Sequence, residues 1–309
     1  MLAVFLQTLP FFAVIGLGYW AGRTGFFPRE ATAYLTKFVF YFALSAMLFG
    51  FSANMSLGDI FEPRAAVAYL WGCGLIYLIA LSVAFARRRP LTEAAMEAHT
   101  AIIGNTGFLG VPMLVLLLGE AAAGTIILVL VIDLIVFSTL LTVIVTLSRE
   151  GRLSLDMPRL IAVGLLKNPM IMAMALGLLW SATGMDLPQP VNAFMVLLGA
   201  AATPGALFAI GASLANNKAE RVTVAGWLTF AKVVLHPVAV GFAAFFLFSV
   251  PPYTAGVLVA AAALPVAGNV YILAQYFGTA VQRVSAAILI STAASIATVP
   301  VVIHWITKG

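Results

Sequence analysis

The stretch His99-Thr-Ala-Ile-Ile-Gly104-Asn105-Thr106-Gly107-Phe-Leu-Gly110-Val-Pro112 decides how this chain is read. It sets three glycines and a proline inside an apolar run long enough to cross a bilayer. Glycine loosens a helix there, and proline removes a donor and frees a carbonyl. A second stretch, Leu264-Pro265-Val-Ala-Gly268-Asn269-Val-Tyr271-Ile-Leu-Ala274-Gln275, repeats the pattern. Both segments are predicted to unwind at mid-depth. Unwound backbone cannot face lipid, so it must line a cavity or be buried in protein. Half-helix N-termini at such a point offer free N–H groups and positive dipole ends, which favour an anion. Asn105 and Asn269 add amide donors at matching places without carrying an unpaired charge into hydrocarbon.

Composition sets the surroundings of these stretches. Of 309 residues, 63% are apolar and 9% charged, against about 25% charged in a soluble domain. The 16 Lys/Arg and 11 Asp/Glu cannot cover a water-facing surface of that size, so the chain is a polytopic membrane protein. Long unbroken apolar runs exclude a β-barrel, which needs alternation. At about 20 residues per crossing the chain accommodates on the order of ten helices and no soluble domain. Gly, Pro and charge clusters place them at roughly 4–22, 32–53, 65–86, 95–118, 122–147, 160–182, 190–212, 222–248, 254–277 and 284–306. The interrupted stretches fall in the fourth and ninth. The net charge of +5 is scattered in short clusters, which excludes a nucleic-acid partner. Cys73 is the one cysteine, so no intramolecular disulfide or cysteine metal site is available, and no metal or cofactor motif occurs. No basic segment precedes the first apolar run, so the first helix is expected to be retained.

Basic residues concentrate in the odd-numbered connections: Arg23 and Arg29, Arg87 to Arg89, Arg149, Arg152 and Arg159, Lys218 and Arg221, and Arg283. The even connections and the C-terminus carry only Arg64 and Lys308. By the positive-inside rule the odd connections are cytoplasmic and both termini lie outside. The halves also match at an offset of 159: Pro10 with Pro169, Gly18 with Gly177, Thr24 with Thr183, Gly25 with Gly184, and Leu48-Phe49 with Leu207-Phe208. A duplicated unit of five crossings, an odd number, inserts the second copy upside down. The expected fold is therefore all-α, ten transmembrane helices in two inverted five-helix repeats, 1–150 and 159–309, with the substrate site near the midplane.

The Gly104–Pro112 string, Lys167-Asn168-Pro169, the run Thr203-Pro204-Gly-Ala-Leu-Phe-Ala-Ile-Gly211-Ala-Ser213 and the Pro265–Ala274 run resemble the auxin efflux carrier family along essentially the whole chain. That family includes plant auxin carriers and bacterial carriers of malonate, malate and related carboxylates. The resemblance implies that helices four and nine are broken and cross at the substrate site. It implies a scaffold of 1–53 and 160–212 that dimerises, and a mobile transport unit of 65–150 and 222–309. Ser45 departs from the pattern, since many members carry proline there; its repeat-mate Pro204 is present.

The expected function is secondary transport of small organic anions in the plasma (bacterial inner) membrane by an elevator-like shift. Asn105 and Asn269 are expected to contact the carboxylate. Thr106, Gly107, Pro112, Pro265 and Gly268 shape the crossing, and Tyr271 and Gln275 line the cavity. Asp133 and Lys232 sit within crossings five and eight, where a charge costs roughly 2.5–3.5 kcal/mol and so faces protein or water. They are read as a pair coupling transport to protons, with His236, one turn after Lys232, as a third candidate. Lys37 and Lys167 lie near enough to the interface to snorkel. The competing carrier class is a sodium- or proton-coupled symporter or a sodium/proton exchanger, which places two or more carboxylates at the crossing. An intramembrane serine protease, with Ser213 as nucleophile and His236 or His304 as base, is the competing enzyme, but Leu214 stands where its serine motif needs glycine.

Overall fold

A computed structural model describes residues 2–54, 62–150, 157–215 and 222–308. All described elements are helices: α1 (Leu2–Arg23), α2 (Arg29–Ala53), α3 (Pro63–Ala86), α4 (Leu91–Ile102), α5 (Thr106–Leu118), α6 (Ala122–Arg149), α7 (Met157–Leu166), α8 (Pro169–Ser181), α9 (Gln189–Leu214), α10 (Val222–Leu247), α11 (Pro252–Ala262), α12 (Gly268–Tyr276) and α13 (Val281–Lys308). By length and apolar composition, six of them, α2, α3, α6, α9, α10 and α13, suffice to cross a membrane. Of the remaining predicted crossings the first is the continuous 22-residue α1, and the other three are interrupted for a physical reason. The fourth divides into α4 and α5 at its glycines, and the ninth into α11 and α12 at Pro265. The sixth divides at Asn168, whose side-chain oxygen caps α8 by accepting from the N–H groups of Met170 at 3.0 Å and Ile171 at 3.4 Å. Arg152, Lys218 and Arg221 of the basic connections lie outside the described residues.

Small residues let helix backbones touch, and they do so twice in the same way. A Cβ placed on Gly18 of α1 would lie 2.2 Å from the Phe208 carbonyl oxygen of α9 and 3.1 Å from the Ala212 nitrogen. One on Gly177 of α8 would lie 2.7 Å from the Phe49 carbonyl oxygen of α2 and 3.0 Å from the Ala53 nitrogen. All three pairs, Gly18/Gly177, Phe49/Phe208 and Ala53/Ala212, are separated by 159 residues. The turns follow suit: Gly25 and Gly184 take φ +77° and +69°, Gly119 and Gly278 +92° and +57°. Ser45 and Pro204 each follow a departure from regular α-helix, a π-turn at Val39–Ala43 in α2 and a tighter turn at Ala201 in α9, whose N–H donates to the Leu198 carbonyl at 3.2 Å.

The connections cluster by parity. Arg149 at the end of α6 donates to the Phe277 carbonyl after α12. Glu97 of α4 accepts from Arg87 after α3 and from Arg283 at the start of α13. These contacts gather connections three, five and nine on one side. Tyr253 donates to the Leu118 carbonyl at 2.8 Å, joining connections four and eight on another.

Gly18→Ala is expected to cost about 1–3 kcal/mol or more, because the new methyl meets backbone that cannot give way. Gly16 on the same helix has nothing within 4 Å of its Cβ position, and Gly16→Ala is expected to be neutral or stabilising by about 0.5–1 kcal/mol. Thermal unfolding of the two variants in detergent checks this; equal shifts would refute the packing account.

Candidate functional site

The two interrupted stretches meet. Gly104 and Val266 form an antiparallel bridge in which Asn105 N–H donates to the Pro265 carbonyl at 2.8 Å and Ala267 N–H to the Ile103 carbonyl at 3.1 Å. Each segment thus satisfies backbone groups that its own helix cannot reach. Val266 N–H is taken by the Ser291 hydroxyl of α13 at 3.0 Å. From this crossing α4 and α11 present their C-termini, α5 and α12 their N-termini. No side chain caps α5 or α12, unlike α3, where Glu62 accepts from Ala65 N–H at 2.8 Å. The N-terminal N–H groups at the crossing therefore remain free of side-chain acceptors.

Two cavities reach this point. The larger, about 640 Å³, is lined by Asn105, Gly107, Asn269, Asp133 and Asn168, with Thr139 and Thr142 further out. The smaller, about 370 Å³, is lined by Asn105, Gly268, Asn269, Tyr271, Ser213 and Lys37. Phe40 and Phe108, stacked at 6.2 Å and 5°, border both. The Asn269 carbonyl oxygen is buried without a partner.

Of the residues singled out in the sequence, Asn105 and Asn269 line both cavities, Gly107 the larger, and Gly268 and Tyr271 the smaller. Thr106, Pro112 and Pro265 lie in the crossing segments and line neither cavity: the Thr106 hydroxyl turns back to the Gly104 carbonyl at 3.5 Å, and Pro265 supplies a bridging carbonyl. Gln275 is exposed and donates to the Tyr271 hydroxyl at 3.1 Å. The two asparagines are not strict mates. The bridge relates Asn105 to Ala267, and Asn269 stands two residues further on, inside the first turn of α12.

Asp133, Lys232 and His236 are all buried and come together. Tyr69 donates to Asp133 at 3.0 Å, and the other Asp133 oxygen has no partner. Lys232 Nζ donates to the Ala262 carbonyl at the end of α11 at 2.5 Å and lies 3.1 Å from His236 Nδ1. His236 Nε2 lies 3.1 Å from the Cys73 sulfur. Among the described residues no ion pair joins Asp133 to Lys232; neutral groups hold each, and the two interact through space. With both ring nitrogens engaged, His236 is not placed to serve Ser213 as a base. No cluster of metal ligands exists among the described residues.

Sequence reasoning missed several features. Glu97, fully buried, holds Arg87 and Arg283, and Arg283 reaches Glu93 at 2.5 Å; these had the look of loop charges. Tyr69, the donor to Asp133, and Cys73, beside His236, were not singled out as site residues in the sequence. The π-turns were also unread, although Phe40, Thr106–Gly110, Asp133 and Lys232 each sit on one. A hydroxyl five residues downstream was the available signal: Ser45 and Ser138 donate to the Phe40 and Asp133 carbonyls, each at 3.0 Å.

Apolar membrane-length helices around two broken segments that meet at a polar cavity define an integral membrane transporter. The chain belongs to the family described as "Membrane transport protein", whose model matches residues 3–303, the auxin efflux carrier family. It is 29% identical to the "Putative malonate transporter" of Rhizobium meliloti (strain 1021), over 97% of this chain and 95% of that one. It is 26% identical to the "Uncharacterized transporter YfdV" of Escherichia coli (strain K12), over 98% of both.

Lys232→Met is expected to destabilise the protein by about 1–3 kcal/mol, since the Ala262 carbonyl and His236 lose their buried donor and Asp133 loses a nearby cation. Adding Asp133→Asn removes the stranded charge, so the double variant should lose less than the sum of the singles. Unfolding midpoints of the four proteins measure the coupling; strict additivity would mean the two charges act independently.

Proposed function

We propose that the protein is a secondary carrier of small organic anions, carboxylates of the malonate and malate class, working by an elevator-type alternation. The observation that carries this reading is the pair of uncapped helix N-termini, with Asn105 and Asn269, at the meeting point of two cavities. They offer donors and positive dipole ends to an anion, and the Lys232 ammonium lies just behind Gly104, 3.3 Å from the position a Cβ would take there. The name of the Rhizobium relative adds weight to malonate.

In this reading the chain makes ten crossings in two inverted repeats, supported by the reciprocal Gly18 and Gly177 contacts. The scaffold is α1, α2, α7, α8 and α9; the transport unit is α3 to α6 and α10 to α13. A homodimer forms through the scaffold, whose Phe42, Phe194 and Leu197 are exposed and apolar. The odd connections are cytoplasmic, the termini outside, and both cavities open inward in the inner membrane. Protons couple to transport through Asp133, which lines the larger cavity, with Lys232 and His236 behind it. A sodium-coupled symporter or sodium/proton exchanger is less favoured, because Asp133 is the single carboxylate among the residues lining the two cavities.

Malonate uptake into liposomes containing the purified protein tests the reading. Asn105→Ala and Asn269→Ala are each expected to lower malonate affinity roughly 10-fold or more while leaving folded protein, from the loss of a hydrogen bond to a charged group. Asp133→Asn is expected to flatten the pH dependence of uptake. Normal binding by both asparagine variants would refute the site, and an unchanged pH profile would remove Asp133 from coupling.

A further inference from the structure

We propose that Lys37 is the second-carboxylate ligand of the carrier, seating a short dicarboxylate in the smaller cavity and selecting it over a monocarboxylate. The inference rests on the anion-carrier reading above and deepens it.

The two cavities share Asn105 and Asn269 but differ in sign. Asp133 is the one charged residue lining the larger, and Lys37 the one charged residue lining the smaller. The lining of the larger carries no cation and that of the smaller carries one, so an anion at the shared asparagines is drawn toward the second. Lys37 sits one turn before Phe40 and Tyr41 on α2, and all three line the cavity, Lys37 and Tyr41 as exposed residues of its wall. The lysine is therefore part of a cavity wall, not a residue that merely reaches for the interface. Among the described residues it forms no ion pair; its ammonium stands over the exposed Tyr34 ring at 5.8 Å and is available to a ligand.

The rest of the wall suits a dianion. Gly268 and Asn269 bring the free N-terminus of α12 to one side, and Ser213 and Tyr271 add hydroxyls. Tyr271 oxygen already accepts from Gln275, leaving its own proton to donate. One carboxylate at the α12 terminus and a second at Lys37 satisfy both ends of the molecule. A monoacid of the same length meets the lysine with a methyl group and gains nothing there. The volume of about 370 Å³ admits a short diacid.

The test compares uptake of malonate and propionate, which differ by one carboxylate, in liposomes carrying the wild type, Lys37→Gln or Lys37→Arg. The wild type is expected to prefer malonate. Lys37→Gln is expected to raise the half-saturation concentration for malonate about tenfold and leave that for propionate unchanged. Lys37→Arg, which keeps the charge, should stay closer to wild type than Lys37→Gln, separating a ligand role from a folding defect. A malonate constant unmoved by Lys37→Gln, an equal loss for both acids, or a wild type that prefers propionate would overturn the proposal while leaving the carrier reading standing. A wild type that carries neither acid would overturn both.

Discussion

Two backbone hydrogen bonds, Asn105 N–H to Pro265 and Ala267 N–H to Ile103, hold the point on which the molecule depends. They let two helices end inside an apolar bundle without leaving their broken segments unpaired, a lapse that costs several kcal/mol per group in hydrocarbon. Once the segments are joined, their helix ends sort by polarity. The N-termini of α5 and α12 turn toward the cavities and stay uncapped. The C-terminus of α11 is met by Lys232, a cation at the negative end of a helix. An anion-attracting face and a cation-compensated face thus lie at one crossing, and the placement of polar groups around it follows from that division.

The charges obey the same economy. Glu97 is fully buried yet satisfied by two arginines from different helices, which ties the start of α4 to α3 and α13. Asp133 and Lys232 are held by a phenol, an imidazole and a backbone carbonyl and not by each other. Replacing a direct ion pair with neutral partners keeps each charge hydrogen-bonded and leaves the second Asp133 oxygen buried without a partner.

Much of this was legible in the sequence because glycine and proline speak about backbone. Gly104, Gly107, Gly110 and Pro265 marked the breaks, and the 159-residue offset of Gly18, Phe49 and their mates anticipated contacts the structure makes. What stayed hidden depends on side-chain direction. A π-turn adds a residue to a helical turn and swings the following side chains to another face, so which residues of α2 beyond Val39 reach a cavity is not legible from helical spacing. Glu97 was hidden because its partners lie at Arg87 and, far along the chain, at Arg283. The register of the asparagines was misjudged for a related reason: the halves match at 159 in their outer helices, while the bridge sets its own spacing, joining Gly104 to Val266.

The central claim is that the crossing binds the anion. Its most direct measurement is the anomalous scattering of 2-bromomalonate bound to the purified protein in crystals. The account predicts a bromine peak at the mouth of Asn105 and Asn269, with the carboxylate oxygens in hydrogen-bond reach of the first N–H groups of α5 and α12. A fully occupied peak elsewhere, with the crossing empty of ligand density, would contradict it.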